Sequence, residues 1–115
     1  MGQARDDSMF PVVHLEGEID LAVAPALQGQ LDALLAEGAT TIVVDLLDAT
    51  FLDSVALGVL VGSLQRCRDV GGNLHLVVSD RRIAKVLEIT GLNDVFPIHD
   101  RWNGLVGKRE EQTTQ

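Results

Sequence analysis

The sequence predicts a single-domain α/β fold, in which about four helices pack on a four- to five-stranded mixed, largely parallel sheet. With 115 residues, of which 46% are hydrophobic and 3% aromatic, the chain can fill one core with Leu, Val, Ile and Ala. Apolar β-branched runs alternate with segments whose leucines recur at helical spacing. Such alternation is typical of a parallel sheet, because each helix carries the chain back to the next strand.

The elements are predicted in the order strand, helix, repeated four times. We predict strands over 12–20, 41–46, 74–78 and 95–98. The first helix lies between Pro25 and Gly38, and the second covers about 54–70. The third lies between Ser79-Asp80 and Gly91, and a short last helix covers 101–108. The domain is predicted to span 1–110, with flexible ends at 1–9 and 110–115, and Pro97 predicts an edge position for the last strand.

Charge is distributed unevenly along the chain. The net charge of the chain is −8. Residues 1–60 hold ten acids and one base, a net charge of −9, so the net charge of residues 61–115 is +1. An acidic protein repels nucleic acid and anionic membranes, so neither is an expected partner. If the acidic half forms a docking surface, its partner should offer basic residues.

Several classes of protein are not expected from this sequence. No apolar run has the length of a membrane span, and the first residues lack the pattern of a signal peptide. Cys67 is the only cysteine, so no internal disulfide can form, and a buried or half-buried thiol is the favoured interpretation. These features predict a cytoplasmic protein.

The stretch from Val43 to Gly62 organises the chain, since an apolar strand leads through an acidic turn into an apolar helix. Parallel strands bring their strand-to-helix loops to one edge of the sheet. Three loops are therefore expected to meet, and they carry Asp20, Asp48, Asp53, Ser54 and Ser79. Spacing alone favours helix capping for Asp53, Ser54, Ser79 and Asp80.

No catalytic constellation is apparent in these loops. They contain no histidine, which argues against a Ser-His-Asp relay, and the carboxylates at 45, 48 and 53 do not follow a calcium-loop pattern. Gly58 and Gly62 share a helix face, which favours tight packing of the helix on the sheet, and no phosphate-binding loop motif is present. We therefore predict no enzyme activity, no metal and no cofactor.

A serine that only accepts a phosphoryl group needs fewer neighbouring functional groups than a catalytic serine does. A phosphate on Ser54 would gain from the N–H groups and the dipole of the following helix, while Asp53 and Asp48 would repel it. The fold should therefore survive phosphorylation. About two added negative charges would nevertheless disrupt a partner fitted to the neutral hydroxyl.

The segment Asp53-Ser54-Val55-Ala56-Leu57-Gly58 resembles the phosphorylation motif of the STAS-domain anti-sigma factor antagonists. The resemblance extends over roughly residues 12–99. Gly17-Glu18-Ile19-Asp20, Gly72-Asn73-Leu74-His75-Leu76 and Thr90-Gly91-Leu92 resemble other family motifs at matching intervals. Many relatives carry Ser-Gly or Thr-Gly where this chain has Val55-Ala56, so Ser54 is the only hydroxyl at the motif.

The resemblance implies a STAS-like fold and a bacterial regulator of sigma-factor-dependent transcription that works by partner switching. It implies binding to an anti-sigma factor that is a serine kinase, phosphorylation at Ser54 that ends this binding, and a phosphatase that resets the switch. The chain itself would be a monomer or weak dimer. The partner-binding residues implied are Asp20, Asp48, Asp53, Ser54, Val55, Leu57, Gly58 and Ser79. The alternative is a STAS interaction module without phosphoregulation, such as a scaffold or a transporter accessory.

Overall fold

The computed structural model describes residues 10–101 and confirms the α/β fold. Its sheet has four strands in the order β1-β2-β3-β4, and all three neighbouring pairs are parallel. The strands are β1 (Val12–Ile19), β2 (Ile42–Leu52), β3 (Leu74–Val77) and β4 (Ile98–His99). The α-helices are α1 (Ala24–Ala36), α2 (Ser54–Asp69) and α3 (Arg81–Ile89), and a 3-10 turn covers Leu92–Asp94.

One apolar core joins all three helices to the sheet. Alternate residues of β2, namely Ile42, Val44 and Leu46, contribute to this core, because successive side chains of a strand point to opposite faces. The helices contribute side chains at helical spacing, such as Leu60 and Leu64 of α2. The helices therefore share one face of the sheet. Cys67 is buried in the same core, as predicted.

Strand β2 is longer than the sequence predicted. We expected a strand over 41–46 and a loop from Asp48 to Ser54, but β2 continues to Leu52. Its second half pairs with β1, where Glu16 lies beside Asp48 and Ile19 beside Leu52. Two register shifts in β1 keep this pairing continuous, and Gly17 permits one of them with a φ of +77°. Long-range pairing thus outweighs the low strand propensity of the acidic segment.

The last predicted strand is shorter than expected. Residues 95–97 follow the 3-10 turn and are not part of the strand. The N–H groups of Val95 and Phe96 both donate to the carbonyl of Leu92. Strand β4 follows at the edge of the sheet, which confirms the edge position inferred from Pro97. The predicted helix over 101–108 lies almost wholly outside the described residues, as do the ends predicted to be flexible.

Candidate functional site

The N-terminus of α2 is built on the side chain of Asp53. One carboxylate oxygen accepts the N–H of Ala56 at 2.9 Å and so caps the helix. The other oxygen accepts the N–H of Leu21 at 2.9 Å, in the loop between β1 and α1. The backbone N–H of Asp53 donates to the carbonyl of Ile19 at the end of β1. These bonds join two of the three loops that were predicted to meet.

Ser54 is the first residue of α2 and is exposed. The sequence favoured a capping role for it, but that prediction is wrong, because Asp53 supplies the cap. The Ser54 hydroxyl therefore stands at the positive end of a 16-residue helix and does not hold the helix start together. An acceptor for a phosphoryl group needs this combination of exposure and structural independence.

Exposed large apolar side chains lie on the segments that meet at the start of α2, namely the loop after β1, the end of β2 and the first turn of α2. Leu21 is 66% exposed, Phe51 48% and Val55 42%. Asp20 lies beside Leu21, and its carboxylate accepts the N–H of Ala22 at 3.0 Å. We call Asp20, Leu21, Phe51, Ser54 and Val55 the Ser54 surface. Exposed apolar residues grouped in this way are typical of a protein interface.

The sequence did not single out Leu21 or Phe51. A phenylalanine in a segment predicted to be a short polar loop was the available signal. That signal was weak, since an apolar residue next to a buried strand usually packs inward.

Two residues predicted at the partner surface lie elsewhere. Leu57 is 7% exposed and belongs to the core, because it faces the sheet from the first turn of α2. Asp48 lies within β2 and four residues before its end, a distance of about 13 Å along an extended strand. Its carboxylate is 3.4 Å from Nε2 of His14. Neither side chain belongs to the Ser54 surface.

His14 lies between two carboxylates that the sequence did not connect with it. Its Nδ1 is 3.2 Å from Asp45, on the side opposite the Asp48 contact. Asp45 is mostly buried and also accepts the N–H of Leu47. Residues 14 and 45 are register partners in β1 and β2, which explains the contact. Among the described residues, no group of three such side chains is placed to hold a metal ion.

The third loop carries Ser79 and Asp80. Asp80 caps α3 by accepting the N–H groups of Arg82 and Ile83, while Ser79 precedes the cap and is exposed. The cap was therefore predicted correctly for Asp80 and wrongly for Ser79. The guanidinium of Arg82 binds the same carboxylate at 2.7 Å and, with the backbone donors, lowers the pKa of Asp80 to about 2.

Gly58 does not pack on the sheet. A Cβ built on Gly58 or Gly62 would meet no atom within 4 Å, so the predicted tight helix-on-sheet packing at these glycines is wrong. Gly58 is exposed one turn after Ser54. In the part of the chain that the structure describes, no helix has the length and hydropathy of a membrane span.

Comparison with known proteins agrees with the fold. Residues 3–103 match the STAS domain family. The anti-sigma-B factor antagonist of Bacillus subtilis is 36% identical over 92 residues, covering 80% of this chain and 84% of that protein. The crystal structure of an anti-sigma factor antagonist from Mycobacterium paratuberculosis superposes with a TM-score of 0.73 at 30% identity, covering 81% of this chain and 79% of that one.

The Bacillus cell fate determinant SpoIIAA in its phosphorylated form shares the fold, with a TM-score of 0.63 at 23% identity. That comparison covers 81% of this chain and 85% of SpoIIAA. The family match and the 36% identical relative together show which family the chain belongs to. The chain belongs to the STAS-domain family of anti-sigma factor antagonists.

Proposed function

We propose that this protein binds an anti-sigma factor with serine kinase activity through the Ser54 surface, and that phosphorylation of Ser54 ends the interaction. In the unphosphorylated state it would hold the anti-sigma factor and so release a sigma factor for transcription in the cytoplasm. A phosphatase would restore binding. The ATP and magnesium belong to the kinase, and this chain contributes the acceptor and the docking surface.

The proposal rests on one observation, which is that Asp53 and not Ser54 caps α2. Asp53 caps α2 and holds the neighbouring loop, which leaves the exposed Ser54 hydroxyl available for modification. A phosphoryl group on Ser54 would meet the N-terminal end of α2, where the helix dipole favours negative charge. Phosphorylation should therefore leave the fold intact.

The surroundings of Ser54 explain why a phosphoryl group should release a partner. Leu21, Phe51 and Val55 are exposed apolar side chains. An interface over these residues would bury the Ser54 hydroxyl at modest cost. A phosphoryl group of nearly two negative charges would have to be desolvated in the same place.

The names of the relatives support the same function. The Bacillus subtilis relative is named an anti-sigma-B factor antagonist, and it covers four-fifths of this chain. The phosphorylated form of SpoIIAA has this fold, which indicates that the fold is compatible with phosphorylation.

The test uses unmutated protein, Ser54→Ala, Ser54→Asp and Ser79→Ala as baits in lysate of the source cell. The kinase isolated in this way is then incubated with each protein, ATP and magnesium. Ser79→Ala controls for the site of phosphorylation only, because Ser79 is also an exposed serine next to a helix cap and is itself among the implied partner-binding residues. We expect all except Ser54→Asp to bind the kinase. Only the unmutated protein and Ser79→Ala should gain the mass of one phosphoryl group.

Equal binding by all four proteins without any gain of mass would contradict the proposal. The chain would then be a STAS interaction module without phosphoregulation. A phosphorylated Ser54→Ala protein would show that the acceptor is another residue.

A further inference from the structure

A groove lies beside the Ser54 surface, between the end of β2 and α3. Its volume is about 410 Å³. The apolar side chains of its lining are Phe51 and Leu52 from β2, and Ile83 and Val86 from α3. Glu18, Thr50 and Arg82 supply the polar part of the lining. The groove is therefore a mostly apolar depression with charged groups among its lining residues.

The groove shares Phe51 with the Ser54 surface. Leu52 is followed directly by the cap Asp53 and by Ser54, and Glu18 is the register partner of Phe51. Phe51 belongs both to the Ser54 surface and to the lining of the groove, and about half of its side chain is exposed. A partner that covers Phe51 thus also contacts the lining of the groove.

The charges in the groove favour a basic partner. Arg82 lines the groove, but its guanidinium is bound to Asp80 by two hydrogen bonds, of 2.7 and 3.1 Å. Glu18 is exposed and has no ion-pair partner among the described residues. An interface that buried this carboxylate without a cation would be costly. The groove should therefore receive an apolar group that has a lysine or arginine next to it.

The same charges argue against a second copy of this chain as the occupant. Residues 1–60 contain ten acids and one base, and they supply β1, β2 and the whole of the Ser54 surface. Two such surfaces brought together would repel each other. A partner with basic residues fits the charge, and the proposed kinase is the protein expected to cover Ser54.

We propose that the anti-sigma factor kinase inserts one apolar side chain into the groove and places a neighbouring lysine or arginine against Glu18. This inference rests on the proposed function and adds an anchoring point to it. Phe51 and Val86 act as the walls that hold the inserted side chain. Ser54 and the groove then lie under one interface, so the kinase that docks in the groove is held next to its acceptor. Anchors of this kind, an apolar group in a pocket, carry much of the energy of an interface.

The test uses the purified kinase that the bait experiment isolates, and it measures dissociation constants by calorimetry. Phe51→Ser and Val86→Ser should each weaken binding by about tenfold or more. Ile89→Ser is the matched control, because Ile89 is 74% exposed on the same helix and does not line the groove. Its affinity should stay within about twofold of the parent. Glu18→Lys should weaken binding, and the loss should be larger at low salt.

A second measurement requires no substitution. In the methyl NMR spectrum of the unmutated protein, the kinase should shift the signals of Val86 and Leu52. The signals of Ile89 and of Val70, which is exposed at the far end of α2, should stay in place. This measurement keeps the test valid if a groove variant is unfolded.

The outcomes separate this inference from the proposed function. If Ser54→Asp abolishes kinase binding while Phe51→Ser and Val86→Ser bind like the parent, the phosphorylation switch stands and the groove is not the anchor. If the unmutated protein binds no kinase, both proposals are wrong. If sedimentation shows a dimer of this chain that Val86→Ser dissociates, the occupant is a second copy and the inference is overturned.

Discussion

The backbone N–H of Leu21 donates to the carboxylate of Asp53 at 2.9 Å, across 32 positions of the sequence. The second oxygen of the same carboxylate caps α2 through the N–H of Ala56. One side chain thus fixes the start of the helix that carries Ser54 and the loop that carries the exposed Leu21. The two sides of the Ser54 surface are positioned together as a consequence.

Substitutions of Asp53 should reveal the contribution of the two hydrogen bonds that its carboxylate accepts. Asp53→Ala loses both acceptors, and we expect it to lower the free energy of unfolding by about 1–3 kcal/mol in urea titrations. Asp53→Asn keeps one acceptor oxygen and should cost less. In Asp53→Ala amide exchange at Leu21 should become faster, because its N–H loses the carboxylate that accepts it. Unchanged exchange at Leu21 in Asp53→Ala would contradict the bridging role.

The pKa of Asp80 should depend on Arg82. It is about 2 in the folded protein, against an ordinary value of 3.8, mainly because the Arg82 side chain binds the carboxylate. Since the folded pKa is the lower one, Asp80 stabilises the fold above pH 3.8, and this contribution is lost as the pH falls through about 2. In Arg82→Gln, a titration followed by the carboxyl carbon shift should give a pKa closer to 3.8.

Arg81→Gln is the matched control for that titration. It removes the same charge one residue away, and no contact between Arg81 and Asp80 is among the ion pairs and hydrogen bonds of the described residues. The Asp80 pKa should therefore stay near 2 in this variant. An equal rise of the pKa in both variants would mean that general charge, and not the direct contact, sets it.

Two glycines should respond oppositely to alanine. A Cβ on Gly58 meets no atom within 4 Å, so Gly58→Ala should stabilise the protein by up to about 1 kcal/mol through helix propensity. A Cβ on Gly72 would collide with the backbone carbonyl of Thr40, so Gly72→Ala should destabilise the fold. Urea titrations of both variants provide the comparison. A loss of stability in Gly58→Ala would show that this helix face is covered.

Two buried positions of α2 test the cost of an unpaired hydroxyl. The Ser63 hydroxyl is buried without a hydrogen-bond partner among the described residues, so Ser63→Ala should leave stability unchanged or raise it. Cys67 is buried one turn later, and Cys67→Ser should lower the free energy of unfolding by about 1–3 kcal/mol. Thermal unfolding of the two variants shows whether each substitution raises or lowers the stability of the fold. A destabilised Ser63→Ala protein would indicate that the hydroxyl is bonded.

Much of the fold could be predicted because local patterns specify it. The leucine spacing of α1, the caps at Asp53 and Asp80 and the stop at Gly91 each depend on residues within one or two helical turns. The order of elements then implied parallel strands with their loops at one edge. The hydrogen bond between Leu21 and Asp53 confirms that two of these loops meet.

The sequence alone determined the α/β class, the apolar core, the motif around Ser54 and, through that motif, the family. Only the tertiary structure decided that β2 continues to Leu52, that Leu57 is buried and that Asp48 lies beside His14. It also brought Phe51 next to Val86 in one groove. Helix periodicity and capping act between neighbours in sequence, whereas strand pairing and exposure depend on residues far apart in the chain, and no local spacing encodes which of those residues meet.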